Sequence, residues 1–114
     1  MQEIVIQSRR AKNEQGIEKI YIDYLQKIKI NNKNYKTEKK RCNYIKDELK
    51  SLSNELQIPV ICLSQLNRMS DTQNREPIVA DLKQSGNIEQ NADFILLMYG
   101  MGVIDASEPN VTRL

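Results

Sequence analysis

The chain has 114 residues, 28% of them charged and 5% aromatic, with a formal net charge of +2. That length allows one small domain with a modest core. No apolar run approaches the roughly 20 residues that span a bilayer, so no membrane association is expected, and the amino terminus lacks the basic-then-apolar plan of a secretory signal. There is no histidine, which removes imidazole acid–base chemistry and most zinc catalysis; Cys42 and Cys62 are spaced for neither a zinc site nor a disulfide framework, so two reduced thiols in a cytoplasmic protein are expected.

From the amino terminus, residues Gln2 to Gln15 read as a helix. Ile4, Val5 and Ala11 are set on its apolar side, Ser8, Arg9, Arg10 and Lys12 outside, and Gly16 is a natural stop. Ile4-Val5-Ile6 alone could equally be a strand, but the charged run from Arg9 to Glu14 favours helix. A first strand is predicted from about Lys19 to Tyr24, a short β-branched and aromatic run opened by a glycine. Lys27 to Tyr35 is rich in Asn and Lys and reads as a loop.

A second helix is predicted from about Thr37 to Leu56. Ile45, Leu49, Leu52 and Leu56 step by four, three and four, one helical stripe, with Thr37 or Asn34 as the cap and Lys46, Asp47, Glu48 and Lys50 outward. Between Lys27 and Lys46 eight basic residues stand against Glu38 alone. Such a segment can contact phosphates or can be a solvated loop and helix face.

Ile58 to Leu63 reads as the next strand, with Pro59 tolerable only near its start. Ser64 to Arg68 follows it, a second set of polar groups at a strand's carboxyl end. Val79 to Gln84 and Asn87 to Asn91 read as two short helical turns separated by Ser85-Gly86. Phe94 to Tyr99 is apolar throughout, which predicts a strand covered on both faces. Gly100 to Asn110 reads as a loop, and Val111 to Leu114 as the start of another strand. Long helices between apolar strands predict an α/β fold, a mainly parallel sheet with crossover helices. Three strand ends then bring Asp23, Ser64-Gln65 and Tyr99 to one edge.

Asp23 ends its apolar strand, and ligands of open α/β sheets bind outside the carboxyl ends of the strands. A carboxylate there suits a metal or phosphate site; the plain alternative is a residue in a strand-end turn.

Three stretches carry a resemblance: Ile20-Tyr21-Ile22-Asp23-Tyr24-Leu25-Gln26, Pro59 to Arg68 (PVICLSQLNR) and Asp81 to Asp93 (DLKQSGNIEQNAD). In this order and at these separations they resemble the RecA-like (P-loop NTPase) motor domain of DnaB-type replicative DNA helicases. The resemblance implies a partial RecA-like domain over residues 1–114, from a motor that uses ATP and Mg²⁺ to translocate on single-stranded DNA. It also implies the family's partners: a homohexameric ring of copies, primase and a helicase loader.

Asp23 looks like the Walker B aspartate, holding Mg²⁺ through its water shell, a role for which one carboxylate suffices. Gln65 matches the family's sensor glutamine, whose amide can bond the γ-phosphate or the attacking water. Lys83, Gln84 and Gly86 match the loop that grips single-stranded DNA. A lysine there supplies charge and a glycine lets backbone N–H groups approach a phosphate. Relatives usually carry Arg-Glu where this chain has Lys83-Gln84, which keeps the positive charge. Arg68 is a further candidate for the same contact; otherwise it is a surface arginine, and residues 81–86 are a plain helix end.

The departures are equally specific. No stretch matches G-x-x-x-x-G-K-[ST], and with glycines only at 16, 86, 100 and 102 none can. The family's catalytic glutamate and arginine finger are not found either, so the 114 residues look like the middle of a RecA-type domain. The isolated chain is therefore expected neither to hydrolyse ATP nor to unwind DNA, and to have an open strand edge prone to self-association. The alternatives are a non-catalytic remnant that binds nucleic acid or a partner, and a fragment of a RadA-like recombination ATPase.

Overall fold

A computed structural model describes residues 1–31, 33–67, 73–82, 91–100 and 112–113. Helix α1 spans Gln2–Gln15 and ends at Gly16, whose φ of 62° and ψ of 40° are left-handed and whose N–H donates to the Lys12 carbonyl. A side chain at that φ is disfavoured, which is why a glycine stops the helix here. Strand β1 is Ile20–Ile22, followed by a 3₁₀ turn at Leu25–Lys27. Helix α2 spans Glu38–Leu56, with the Thr37 hydroxyl accepting from the Lys40 N–H at its start. Strand β2 is Val60–Cys62.

The sequence-derived bounds of both helices hold to within a residue. Two of their faces do not. Ser8, expected outside, is the buried residue of α1. It stands three and four residues after Val5 and Ile4, on the stripe they begin, so spacing overrode polarity. Lys46, expected outward, is buried on α2 between Cys42 and Leu49 on the same stripe. A long cationic side chain can bury its methylene stem while its ammonium reaches outward, and burial lowers the Lys46 pKa.

β1 and β2 pair in parallel, Ile20 with Val60, Tyr21 with Ile61 and Ile22 with Cys62. α2 is the crossover between them. The core lies on one face of this pair: Leu25, Ile28, Cys42, Ile45 and Leu49 are buried together, with Ile22, Val60, Cys62 and Ile4 packed against them. Alternation along a strand sends Tyr21 and Ile61 to the other face, where both are exposed. Arg9 on α1 grips Glu55 on α2 through two bonds of 2.8 and 2.7 Å, tying the two helices outside the core.

The expected third parallel strand differs. Residues 94–98 belong to neither named sheet, and only Tyr99–Gly100 forms a strand, β3. β3 pairs antiparallel with β4, Thr112–Arg113, and not with β1 or β2. Nor is the segment covered on both faces: Phe94 is 91%, Leu96 74% and Met98 57% exposed, while Ile95, Leu97 and Tyr99 are half-buried. The period of two is that of a strand, but among the described residues one side has nothing to pack on. Tyr99 accordingly does not join the sheet edge shared by Asp23 and Gln65.

Candidate functional site

The parallel register carries past the named strands. The Leu63 N–H donates to the Ile22 carbonyl and the Leu25 N–H to the Leu63 carbonyl, each at 2.9 Å. Asp23 and Gln65 therefore leave adjacent strands at the same carboxyl edge. Both are exposed. The chain turns away from β1 through a cis Asp23–Tyr24 peptide, and the Lys27 ammonium sits 5.2 Å from the Tyr24 ring centroid.

Gln26 closes the Ile20–Gln26 stretch, and its role is visible only in the structure. Its side-chain amide bridges the two strand ends: Nε2 donates to the Ser64 hydroxyl and Oε1 accepts from the Gln65 N–H, both at 3.2 Å. Arg41, in the first turns of α2, donates to the Gln26 carbonyl at 3.2 Å and the Ile28 carbonyl at 3.3 Å. The helix thus holds the turn after β1, and that turn holds the backbone of Gln65. Bonds like these join residues 13 to 39 positions apart and leave no periodic trace in sequence.

Beyond Gln65 the chain closes on itself. Leu66 forms an isolated antiparallel bridge with Leu82, and the Asn67 N–H donates to the Asp81 carbonyl at 2.6 Å. Asp81, in a 3₁₀ turn at Val79–Asp81, is only 3% exposed. Its carboxylate takes two bonds of 2.7 Å from the Arg75 guanidinium and one of 2.9 Å from the Ile78 N–H. The Arg75 hydrogen bonds, then that N–H, hold the Asp81 pKa down to about 2. Sequence reading gave Asp81 a place in a motif but missed its partner Arg75.

Four of the residues singled out by sequence, Arg68, Lys83, Gln84 and Gly86, lie outside the described residues. The positions that frame 83–90 are described. Leu82 is bridged to Leu66, and on the far side Asn91 donates to Asp47 at 2.6 Å while Lys50 reaches both Asp93 oxygens at 2.8 Å. Both latter partners are on α2.

Among the described residues, no group of three or more His, Cys, Asp or Glu side chains could cage a metal ion. A single exposed carboxylate at a strand end suits a different kind of metal site. Mg²⁺ keeps several waters and is commonly held through one or two carboxylates plus substrate phosphates, a donor set that Asp23 fits. Gln65 offers both an amide donor and an acceptor, with its backbone already held by Gln26. Among the described residues no helix is long and apolar enough to cross a membrane.

A family model described as the DnaB-like helicase C terminal domain matches residues 1–113. The chain is similar to the replicative DNA helicase DnaC of Bacillus subtilis, 39% identical over 109 residues, which cover 95% of this chain and 24% of that protein. It is 43% identical over 103 residues to the replicative DNA helicase DnaB of Helicobacter pylori, covering 87% of the chain and 21% of that protein. A probable plasmid replicative DNA helicase of Chlamydia psittaci is 41% identical over 97 residues, with 84% and 21% covered. The chain thus spans about a quarter or less of the length of these relatives.

Among solved structures, one described as an ATPase domain superposes with a TM-score of 0.75 at 27% identity, over 94% of this chain and 45% of that one. A DnaB-like replicative helicase, described with its interactions with primase, gives 0.74 at 27% identity, over 96% and 30%. The α/β unit is therefore a portion of a RecA-like ATPase fold, and the chain belongs to the family of DnaB-like helicase C-terminal domains.

Proposed function

We propose that these residues form the part of a DnaB-type replicative helicase motor that joins the nucleotide edge of the sheet to single-stranded DNA. One observation carries the reading: parallel pairing of β1 and β2 puts Asp23 and Gln65 at one edge, with Gln26 bonded across them. Asp23 would hold the water shell of Mg²⁺ on ATP. When bound, that ion supplies charge neutralisation on the phosphates. Gln65 orients a phosphate oxygen or a water through its uncharged amide, and Arg41 and Gln26 fix where it stands. Lys83, Gln84 and Gly86 grip the DNA backbone without reading bases, as a motor that crosses every sequence requires, and Arg68 is a further candidate for the same contact. In the motor the partners are other copies of the same domain in a hexameric ring, primase and a loader.

The 114 residues hold no G-x-x-x-x-G-K-[ST] motif. Backbone donors and a lysine for the β- and γ-phosphates have to come from elsewhere, so the chain by itself does not turn over ATP. DNA-stimulated hydrolysis by the purified chain, above a no-protein background, would refute that.

The DNA contact is tested by fluorescence anisotropy with labelled oligothymidylate across a salt series. Binding is expected to weaken with salt. Lys83→Ala should lower the slope of log K against log salt by about 0.7, the share of one phosphate contact on a single strand. Equal affinity and equal slope in that variant would sink the assignment of Lys83.

A further inference from the structure

We infer that Arg75 and Asp81 are positioning residues: their two-pronged ion pair fixes Leu82, the residue from which the chain runs into Lys83, against the strand end that carries Gln65. The inference rests on the DNA-binding reading of residues 83–86 given above.

Three observations converge on it. First, the pair is unlike the other ion pairs of the described residues in its surroundings. Asp81 is buried, whereas Glu55, Glu14, Glu38 and Asp93 are all exposed. A buried carboxylate is costly unless every oxygen is bonded, and both oxygens of Asp81 are. Second, the guanidinium is held by further bonds besides those to Asp81. Its Nε donates to Gln73 at 2.6 Å and Nη1 also to the Glu76 carbonyl at 3.1 Å, so the fork is oriented from both sides. Planar two-pronged pairing adds direction to attraction, which a lysine could not supply.

Third, the pair lies where position matters. The Asp81 carbonyl accepts from Asn67, two residues after Gln65; the Leu82 N–H donates to Val79, and Leu82 bridges Leu66. Residues 73–82 thus make a closed staple whose carboxyl end, Asp81 and Leu82, abuts Leu66 and Asn67 beside Gln65 and is followed in sequence by Lys83. A plain turn would need neither a buried carboxylate nor an arginine with all three nitrogens engaged. A staple that sets the distance and direction between two functional segments has use for both.

The test uses the whole chain and the variants Arg75→Ala, Arg75→Lys and Asp81→Asn. Two quantities are read: amide hydrogen exchange at Asn67 and Leu82 by NMR, and oligothymidylate affinity by anisotropy. Exchange at both amides should quicken roughly tenfold in Arg75→Ala and Asp81→Asn, because local opening no longer has to break the pair. DNA affinity should fall by roughly fivefold or more, the lower range of coupling between linked sites. Arg75→Lys, which keeps charge and loses the fork, should fall between. The far-UV circular dichroism signal and the melting of α1 and α2 should not move, as they would if the pair served only general stability.

Unchanged exchange at Asn67 and Leu82 in both variants overturns the proposal. So does quickened exchange with unaltered DNA affinity, since the staple would then position nothing that DNA contacts. If the unsubstituted chain does not bind oligothymidylate at all, the DNA reading fails and the proposal with it, and the exchange data then separate that failure from failure of the staple. Should a variant lose its helical signal, Arg75→Lys carries the comparison, because it alone keeps a cation beside the buried carboxylate.

Discussion

Ile45 is fully buried, while Phe94 is 91% exposed, although each belongs to an apolar pattern as clear as the other. The helix α2 stripe finds β1, β2 and the 3₁₀ turn at Leu25 within the described residues, and a core closes. Residues 94–98 keep the two-residue period of a strand and leave every second side chain in solvent. On the sheet itself the same asymmetry recurs: Ile22 and Val60 face the helices, and Tyr21, Ile61 and Leu63 stand exposed. A parallel sheet is ordinarily covered on both faces. Apolar periodicity states that a surface is meant to be covered; it does not state by what.

The largest expected effect separates the two regions directly. Ile45→Ala should cost about 2–5 kcal/mol in chemical denaturation, the range for emptying a packed aliphatic site, whereas Leu96→Ala should change stability by less than about 0.5 kcal/mol in dilute solution. Equal losses would mean that residues 94–98 are packed after all. Self-association should show the reverse order. Replacing Phe94, Leu96 and Met98 together by Ser should lower the weight-average mass in sedimentation at high protein concentration, and Ile45 should be irrelevant to it. An unaltered concentration dependence would place the sticky surface elsewhere, with Tyr21, Ile61 and Leu63 the next to examine.

A smaller effect comes from the staple at residues 73–82, which closes on the chain just after Gln65. Asp81 has a folded pKa of about 2 against an ordinary 3.8, so its contribution is complete above 3.8 and is lost as pH falls through about 2. In an acid titration the unsubstituted chain should lose local protection at Asn67 across that window, and Asp81→Asn should be flat across it. The difference between the two is the quantity to read, since Glu55, held low by Arg9, titrates in both.

The smallest effect is local. Gln57 ends α2 with a φ of 54°, a left-handed conformation that costs a side chain, and its amide donates to the Asn54 carbonyl at 2.6 Å. Gln57→Gly should raise stability by up to about 1 kcal/mol, read as a shift in denaturation midpoint. A loss would show that the Gln57 to Asn54 bond outweighs the backbone strain.

What the sequence disclosed follows a physical division. Helix limits were readable because Gly16, Thr37 and the stripe from Ile45 to Leu56 act locally, through one residue's conformation or one turn's spacing. The pairing of the Asp23 and Gln65 strands was readable because an apolar run, a long helix and a second apolar run leave few topologies. Ser8 and Lys46 were misplaced because polar identity was weighed above the stripe on which they sit. Gln26, Arg41 and Arg75 went unseen for a different reason. Their work is done by single hydrogen bonds to partners at irregular separations, and a polar residue in a turn looks the same whether it holds a neighbouring strand or water.

The two thiols give the core a clock of its own. Cys42 has no exposed surface, and burial raises its pKa; Cys62 beside it is pushed up to about 11. Thiolate is the reactive form and Cys42 is sealed in the core, so Cys42 is expected to react slowly while α2 rests on β2, and the half-buried Cys62 is the more accessible of the two. Labelling of Cys42 by a disulfide reagent, followed in a Cys62→Ser variant, then requires helix and strand to part. The Cys42 rate reports how often the sheet edge bearing Asp23 and Gln65 loses the helix that supports it.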